Sequence, residues 1–327
     1  MPKPKGAIRH VLLLGGAGYL GSVLTRQLLE VGYHVRVLDN LLFGDMGLVD
    51  PPGQDRLEVR RVDVRDLQAV SDALEGMDAA ILLAALVGAS ACDRDPRETV
   101  DINLVATLAV AHAARAHGLS RFLYASTDSA YGIQEGTMVE GSPLNPISLY
   151  AKLKAEAEEE ILRLRRPGFA PCVLRMATLY GYSPRMRFDL VLNVLVRNAT
   201  VHNKVTIYGG AQWRPFVHVA DVAAAYRLAL EAPAAVVDGQ IFNVGSNEQN
   251  YRIGELGDLI RKVFPHVEVE TVPQTPDLRD YHVCFDKIDD ALGYRVRYAV
   301  EDGIREMRDA ITSGRIADPF DRRYVNA

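Results

Sequence analysis

The sequence predicts an α/β chain: a doubly wound parallel sheet with helices on both faces, then a smaller α/β subdomain. Three observations predict it. Short apolar runs alternate with longer amphipathic stretches through the first half. The runs lack polar alternation, as strands buried on both faces do. Glycines cluster where the first run ends. Strand, helix and strand at this spacing imply right-handed crossovers and parallel pairing.

Taken in order, 11–14 reads as a strand and 21–31 as the helix after it, ended by Gly32. Strands follow at 35–38, 57–62 and 79–83, with a helix at 67–74. A long helix is expected over 99–117, a strand at 122–125, a helix at 150–165 and a strand at 172–176. Beyond about residue 180, Pro and Gly interrupt the rhythm. Helices are expected there at 190–196, 219–229 and 253–263. The expected division is a sheet domain over 1–180 and a substrate-binding subdomain over 181–327. Segments near 215–250, with a strand at 241–244, are expected to rejoin the sheet.

Composition narrows the function classes. With 327 residues, 48% of them hydrophobic, the chain can bury a large core without disulfides or metals. A net charge of -5 gives no electrostatic case for nucleic acid or an anionic membrane. Cys92, Cys172 and Cys284 form no Cys-x-x-Cys, which points to buried apolar cysteines, no metal and a reducing cytoplasm. The basic residues of 1–14 precede too short an apolar run for a signal peptide. The longest other apolar stretch, 79–91, is too short to span a bilayer.

The first strand runs into Gly15-Gly16-Ala17-Gly18-Tyr19-Leu20-Gly21, and a helix follows. Gly16, Gly18 and Gly21 satisfy G-x-G-x-x-G; Gly15, Gly18 and Gly21 satisfy G-x-x-G-x-x-G. Such a loop lets backbone approach a pyrophosphate, and the helix start offers it N–H groups. The strand before and the helix after supply the context that makes this a Rossmann fingerprint. Asp39, 18 residues after Gly21, ends the second strand. Its carboxylate would accept the adenosine ribose hydroxyls and repel a 2′-phosphate, and Asn40 adds no charge, so NAD is expected over NADP. Asp63 follows the third strand, within reach of the adenine.

Tyr150 and Lys154 stand four apart at a helix start and so share a face. A tyrosine ionises near pH ~10, and a nearby ammonium is expected to lower that value toward the range of a useful base.

Together, the glycine loop, Ser126-Thr127-Asp128-Ser129-Ala130-Tyr131-Gly132 and the Tyr150–Lys154 pair resemble the extended short-chain dehydrogenase/reductase family. Within it, the chain is similar to the nucleotide-sugar epimerases and dehydratases of the UDP-glucose 4-epimerase type. RPFVHVAD at 214–221 and FNVG at 242–245 extend the likeness along most of the chain. The resemblance implies Tyr150 as acid and base for a sugar hydroxyl, Lys154 on the nicotinamide ribose, and Thr127 aligning the hydroxyl. It implies a supporting Asn103. It completes the cofactor set of Gly15, Gly18, Tyr19, Leu20, Gly21, Asp39, Asn40 and Asp63 with Val64, Leu83, Ala84 and Ala85. It also implies a homodimer through the helices at 99–117 and 150–165.

Departures from the family pattern narrow the reaction. Its 4,6-dehydratases carry Asp-Glu after the Thr; here Asp128 is followed by Ser129, which removes the group expected to abstract the C5 proton. UDP-glucuronate decarboxylase-like members also show a Glu there. Epimerisation needs hydride out and hydride back, with no second carboxylate. An NAD-dependent nucleotide-sugar 4-epimerase is therefore expected, with a dehydratase or a reductase/dehydrogenase as the alternative. An intact Tyr150–Lys154 pair argues against a non-catalytic sensor. For the sugar and its phosphates the expected residues are Asp128, Ser129, Thr178, Arg185, Asn193, Leu195, Tyr208, Arg214 and Arg279. Thr178 replaces an Asn common at its place, which makes an unusual sugar plausible. His218 has no metal-ligand neighbours and reads as a structural hydrogen-bonding residue.

Overall fold

A computed structural model describes residues 8–274 and 277–326. The stretch 1–7, part of the basic segment judged above not to be a signal peptide, lies outside the described residues.

Seven parallel strands form the central sheet: β1 His10–Leu14, β2 His34–Asp39, β3 Leu57–Arg61, β4 Ala79–Leu82, β5 Arg121–Thr127, β6 Ala170–Met176 and β7 Gln240–Val244. Their order is β7-β6-β5-β4-β1-β2-β3. Chain direction of growth reverses between β1 and β4, and a crevice opens there beyond the strand C-termini. Leu14 stands in register with Leu38 on one side and Leu82 on the other, so three strand ends finish level at that crevice.

Helices cover both faces. α1 Tyr19–Glu30 and α6 Val219–Glu231 take one; α2 Leu67–Leu74, α3 Thr107–Ala116 and α4 Leu149–Arg163 take the other; α5 Val191–His202 follows β6 in the chain. Alternation along β1 divides its side chains. Val11 and Leu13 join the apolar cluster under α1, and Leu12 and Leu14 the cluster under α2 and α3. The expected strands and helices of the first half occur with ends shifted by a few residues. The expected helix at 99–117 is different. Pro96–Val100 gives way to a wider π turn at Asp101–Ala106 before α3 begins. Asn103 sits in that turn, and its amide is engaged outside the helix.

Beyond β6 several short strands assemble that the sequence pattern did not signal. Trp213–His218 lies parallel to Thr178–Tyr180 and antiparallel to Asn250–Arg252. Lys204–Tyr208 pairs with Glu268–Val272. Asp280–Val283 pairs with Ile133–Met138 of the first half. This last pairing carries Arg279 back to the turn after β5, through Asp280 N–H donating to Gly132 O at 3.0 Å. α7 Leu256–Val263 and α8 Val300–Thr312 complete this region. Among the described residues no helix is long and apolar enough to cross a membrane.

Candidate active site

One cavity of about 1050 Å³ runs from the glycine loop, past the C-terminal ends of β2, β4 and β5, to Tyr208 and Arg214. That is roomy for one small ligand and suits two elongated ones side by side.

The glycine loop forms one end. Gly15 has φ +87°, and a Cβ there would stand 2.6 Å from Ala84 N. A Cβ on Gly21 would stand 2.1 Å from Gly15 O, so the loop folds tightly only with glycine at both places. Gly18 differs. Its φ of -74° suits any residue, and a Cβ would make only an ordinary contact at 3.4 Å with Gly15 O. What its smallness spares is the cavity it lines. α1 begins at this point with no side-chain cap and no acidic residue in its first turn. Its first N–H groups and positive dipole end face the cavity uncompensated, a fit for a pyrophosphate.

Asp39 lies beside the loop. One carboxylate oxygen accepts from Ala17 N–H at 3.0 Å and the other from Leu41 N–H at 2.8 Å. Burial raises its pKa, and the backbone donors and Arg185 pull the other way. Asn40 lines the cavity while its side chain accepts from Leu42 N–H. Asp63 also lines it, gripped at both oxygens by Arg65. Tyr19, Leu20, Val64, Leu83, Ala84 and Ala85 are all wall residues. Asn103 is not. Its amide accepts from Leu86 N–H and donates to Leu86 O, both at 2.8 Å, so it braces the loop after β4 from behind.

Thr127 ends β5, and Tyr150 is the second residue of α4, whose start is capped by Ser148. Both face the cavity, and the Thr127 side chain hydrogen-bonds to the Tyr150 hydroxyl. Lys154 stands behind Tyr150, off the cavity wall, and its Nζ donates to Ala125 O at 2.9 Å. Contrary to expectation, the ammonium does not lower the Tyr150 pKa. Burial pushes it up to about 12, against Arg187, Arg279 and the Thr127 hydrogen bond, which pull it down. Burial also lowers Lys154 to about 8, against the opposing charge of Glu158 one turn on.

Two expected substrate residues lie away from the cavity. Asp128 is 1% exposed and turned into the protein, toward Arg175. Burial drives its carboxyl well above the ordinary range, and neither oxygen has a hydrogen-bond partner among the described residues. The turn sets this direction: Thr127 Oγ1 accepts from Ser129 N–H, which presents Ser129 and not Asp128 to the cavity. Asn193 is fully buried. It accepts from Gly181 N–H and donates to Arg187 O and to the Tyr19 hydroxyl, a strut between α5 and the glycine loop. His218 is likewise structural, holding Ala220 N–H and Glu306.

Thr178, Arg185, Leu195, Tyr208, Arg214 and Arg279 do line the cavity. Arg214 and Arg279 converge on Asp277, at 2.9 and 2.6 Å, and hold its pKa well below the ordinary range against its burial. Arg279 also donates to Ser129 Oγ at 2.9 Å. Arg187, which pairs with Asp189 at 2.5 Å, joins them as a wall residue. Val325 and Asn326 are wall residues too, and no motif marks them. Among the described residues no cluster of three His, Cys, Asp or Glu side chains could hold a metal ion.

Residues 11–245 match the NAD-dependent epimerase/dehydratase family. The UDP-glucose 4-epimerase of Corynebacterium glutamicum is 32% identical, over 81% of this chain and 83% of that one. A dTDP-glucose 4,6-dehydratase of Streptomyces niveus is 30% identical over 91% of each. The solved UDP-glucose 4-epimerase of Thermus thermophilus, in complex with NAD, superposes with a TM-score of 0.80 at 27% identity. That likeness covers 93% of this chain and 99% of that one.

Proposed function

Because the chain belongs to the NAD-dependent epimerase/dehydratase family, we propose that it is a nucleotide-sugar epimerase that inverts C4 through a transient keto-sugar. One observation carries this reading. Around Tyr150 the wall presents the hydroxyls of Thr127 and Ser129, with Asp128 turned away. The carboxylates at this end, Asp189 and Asp277, are each held by arginines. Among the described residues no carboxylate stands ready to take a second proton from the sugar ring, which an elimination needs.

The glycine loop and the α1 start would hold the dinucleotide pyrophosphate. Asp39, which keeps acceptor capacity beyond its two backbone bonds, would hold the adenosine ribose. Asn40, Asp63, Val64 and the 83–85 segment would line the rest, with Asn103 bracing and Lys154 reaching the second ribose. When bound, NAD supplies the acceptor and donor of the C4 hydride. Tyr150 as the phenolate would take the C4 hydroxyl proton at its phenolic oxygen and later return it. The positive charge that bound NAD would bring opposes the burial that keeps the phenol protonated. Thr127 fixes the hydroxyl in line. Arg214 and Arg279 grip the diphosphate as anchor, with Leu195 and Tyr208 beside it, while the keto-sugar turns. Thr178 and Ser129 contact the sugar.

The proposal includes a cytoplasmic enzyme and a homodimer through α3 and α4. Val105, just before α3, is 57% exposed, a large apolar group that a partner helix would cover. Sedimentation of the purified protein tests the dimer.

Incubation with a panel of UDP- and dTDP-linked hexoses, pentoses and uronates, read by proton NMR, tests the activity. The expected outcome is one C4-epimer pair drawn to equilibrium with no net NADH. A 4-keto-6-deoxy product, net redox, or no conversion of any sugar contradicts it.

A further inference from the structure

Arg185 was expected to bind the substrate, yet its surroundings are those of the other end of the cavity. We propose that Arg185, held in place by Asn326, is a ligand of the dinucleotide pyrophosphate. This rests on the dinucleotide reading of the glycine-loop end and is independent of the C4 chemistry.

The chain before Arg185 lies against the start of α1. Ser183 Oγ donates to Tyr19 O at 2.7 Å and shares a hydrogen bond with Ser22 Oγ at 2.9 Å. Two residues on, the Arg185 guanidinium sits 3.9 Å from the centre of the Phe43 ring, in the loop after β2. Its charge acts on Asp39. Its Nη2 donates to Asn326 Oδ1. By contrast, Arg187 and Arg279 are the cations that act on Tyr150.

Charge pairing separates Arg185 from its neighbours. Arg187, Arg214 and Arg279 each pair with a carboxylate. Arg185 is 1% exposed, makes no ion pair among the described residues, and leaves its buried Nε without a hydrogen-bond partner. A guanidinium removed from water without an anion is costly, and the cost is recovered when an anion arrives. Burial, with Arg187 next, lowers its pKa to about 10, and the charges of Asp189 and Asp39, neither in direct contact, only partly offset this. The adjoining feature that calls for an anion is the uncapped start of α1. Asp39 adds negative charge at that end, with no salt-bridge partner of its own among the described residues. A pyrophosphate there therefore needs a cation, and Arg185 supplies it in a form suited to phosphate oxygens.

The segment bearing Asn326 fixes the guanidinium from outside. Phe188 N–H donates to Tyr324 O at 2.7 Å, and the two rings meet edge to face. Asn326 O lies 3.4 Å from where a Cβ on Gly88 would stand, in the loop after β4. The segment therefore bridges both rims of the dinucleotide end.

The test is calorimetric titration of protein stripped of nucleotide with NAD, ADP-ribose, adenosine and UDP. Loss of one charge-assisted pair predicts that Arg185→Met weakens NAD and ADP-ribose by ~10–100-fold. Adenosine, which lacks the pyrophosphate, and UDP should change little. Asn326→Ala should weaken NAD less, in the same direction. Unchanged NAD affinity in Arg185→Met, or a loss confined to UDP, overturns the proposal. Should Arg185→Met fail to fold, Arg185→Lys and Asn326→Ala decide by the same ratios: NAD weakened with UDP unchanged supports it, and NAD unchanged in both overturns it. A wild-type protein that binds no NAD contradicts the dinucleotide reading itself.

Discussion

The two ends of the cavity are built from different materials. The dinucleotide end is largely backbone: a glycine loop, a helix start, and an Asp39 locked by two N–H donors. The Tyr208 end is built from long side chains, with Arg214 and Arg279 leaning on Asp277 and Arg187 on Asp189. Backbone amides need no reorganisation and are paid for when the chain folds. Arginine–carboxylate pairs must give up or share a partner when a diphosphate arrives. The first design suits a ligand that stays; the second suits one that enters and leaves each cycle.

Three variants probe that contrast. The largest effect is expected from Gly21→Ala. Its Cβ would overlap Gly15 O, so the loop must open, and NAD binding by calorimetry should vanish while the melting temperature falls. Measurable NAD affinity in a folded Gly21→Ala protein would break the claim that the loop is preorganised.

Second is the double change Arg214→Ala with Arg279→Ala. It should weaken UDP by ~10–100-fold and leave NAD affinity unchanged, since these cations serve the other end. Parallel loss of both ligands would show that the ends are not separate.

The smallest is a gain. Lys154 has its folded pKa near 8, below the ordinary 10.5. Between those values the unfolded chain binds the extra proton, so stability rises with pH through that window. Below about pH 8 the buried ammonium carries a penalty of about 3 kcal/mol. Lys154→Met should therefore raise unfolding free energy at pH 7 and flatten its rise from pH 8 to 10.5, while activity is lost. A less stable Lys154→Met protein would show that the Ala125 hydrogen bond outweighs the burial.

The same contrast explains what was legible in the sequence. Gly15 to Gly21, Asp39, and the Tyr150–Lys154 spacing act over a few residues, so their pattern announces their place. The reach of Arg185 to Asn326 spans 141 residues and leaves no local mark. Asp128 was misplaced because its direction depends on one hydrogen bond, Ser129 N–H to Thr127, that turns the chain after β5. Asn193 was expected at the substrate; it spends its amide on Gly181 N–H, Arg187 O and the Tyr19 hydroxyl instead. The Tyr150 pKa ran opposite to expectation because a shared helix face does not fix distance. The Lys154 Nζ lies 5.9 Å from the Tyr150 ring and is bonded elsewhere, so desolvation prevails. The short strands beyond β6 pair mostly with partners distant in sequence, which periodicity does not reveal.

The central claim is a C4 hydride that leaves and returns with no second proton taken from the ring. It is tested most directly with the active nucleotide sugar deuterated at C4, in ordinary water, and the product read by NMR. The account predicts inversion at C4 with the deuterium still on C4 and no solvent hydrogen gained at C5. Deuterium at C6 with loss of the 6-hydroxyl, or solvent hydrogen at C5, would contradict it.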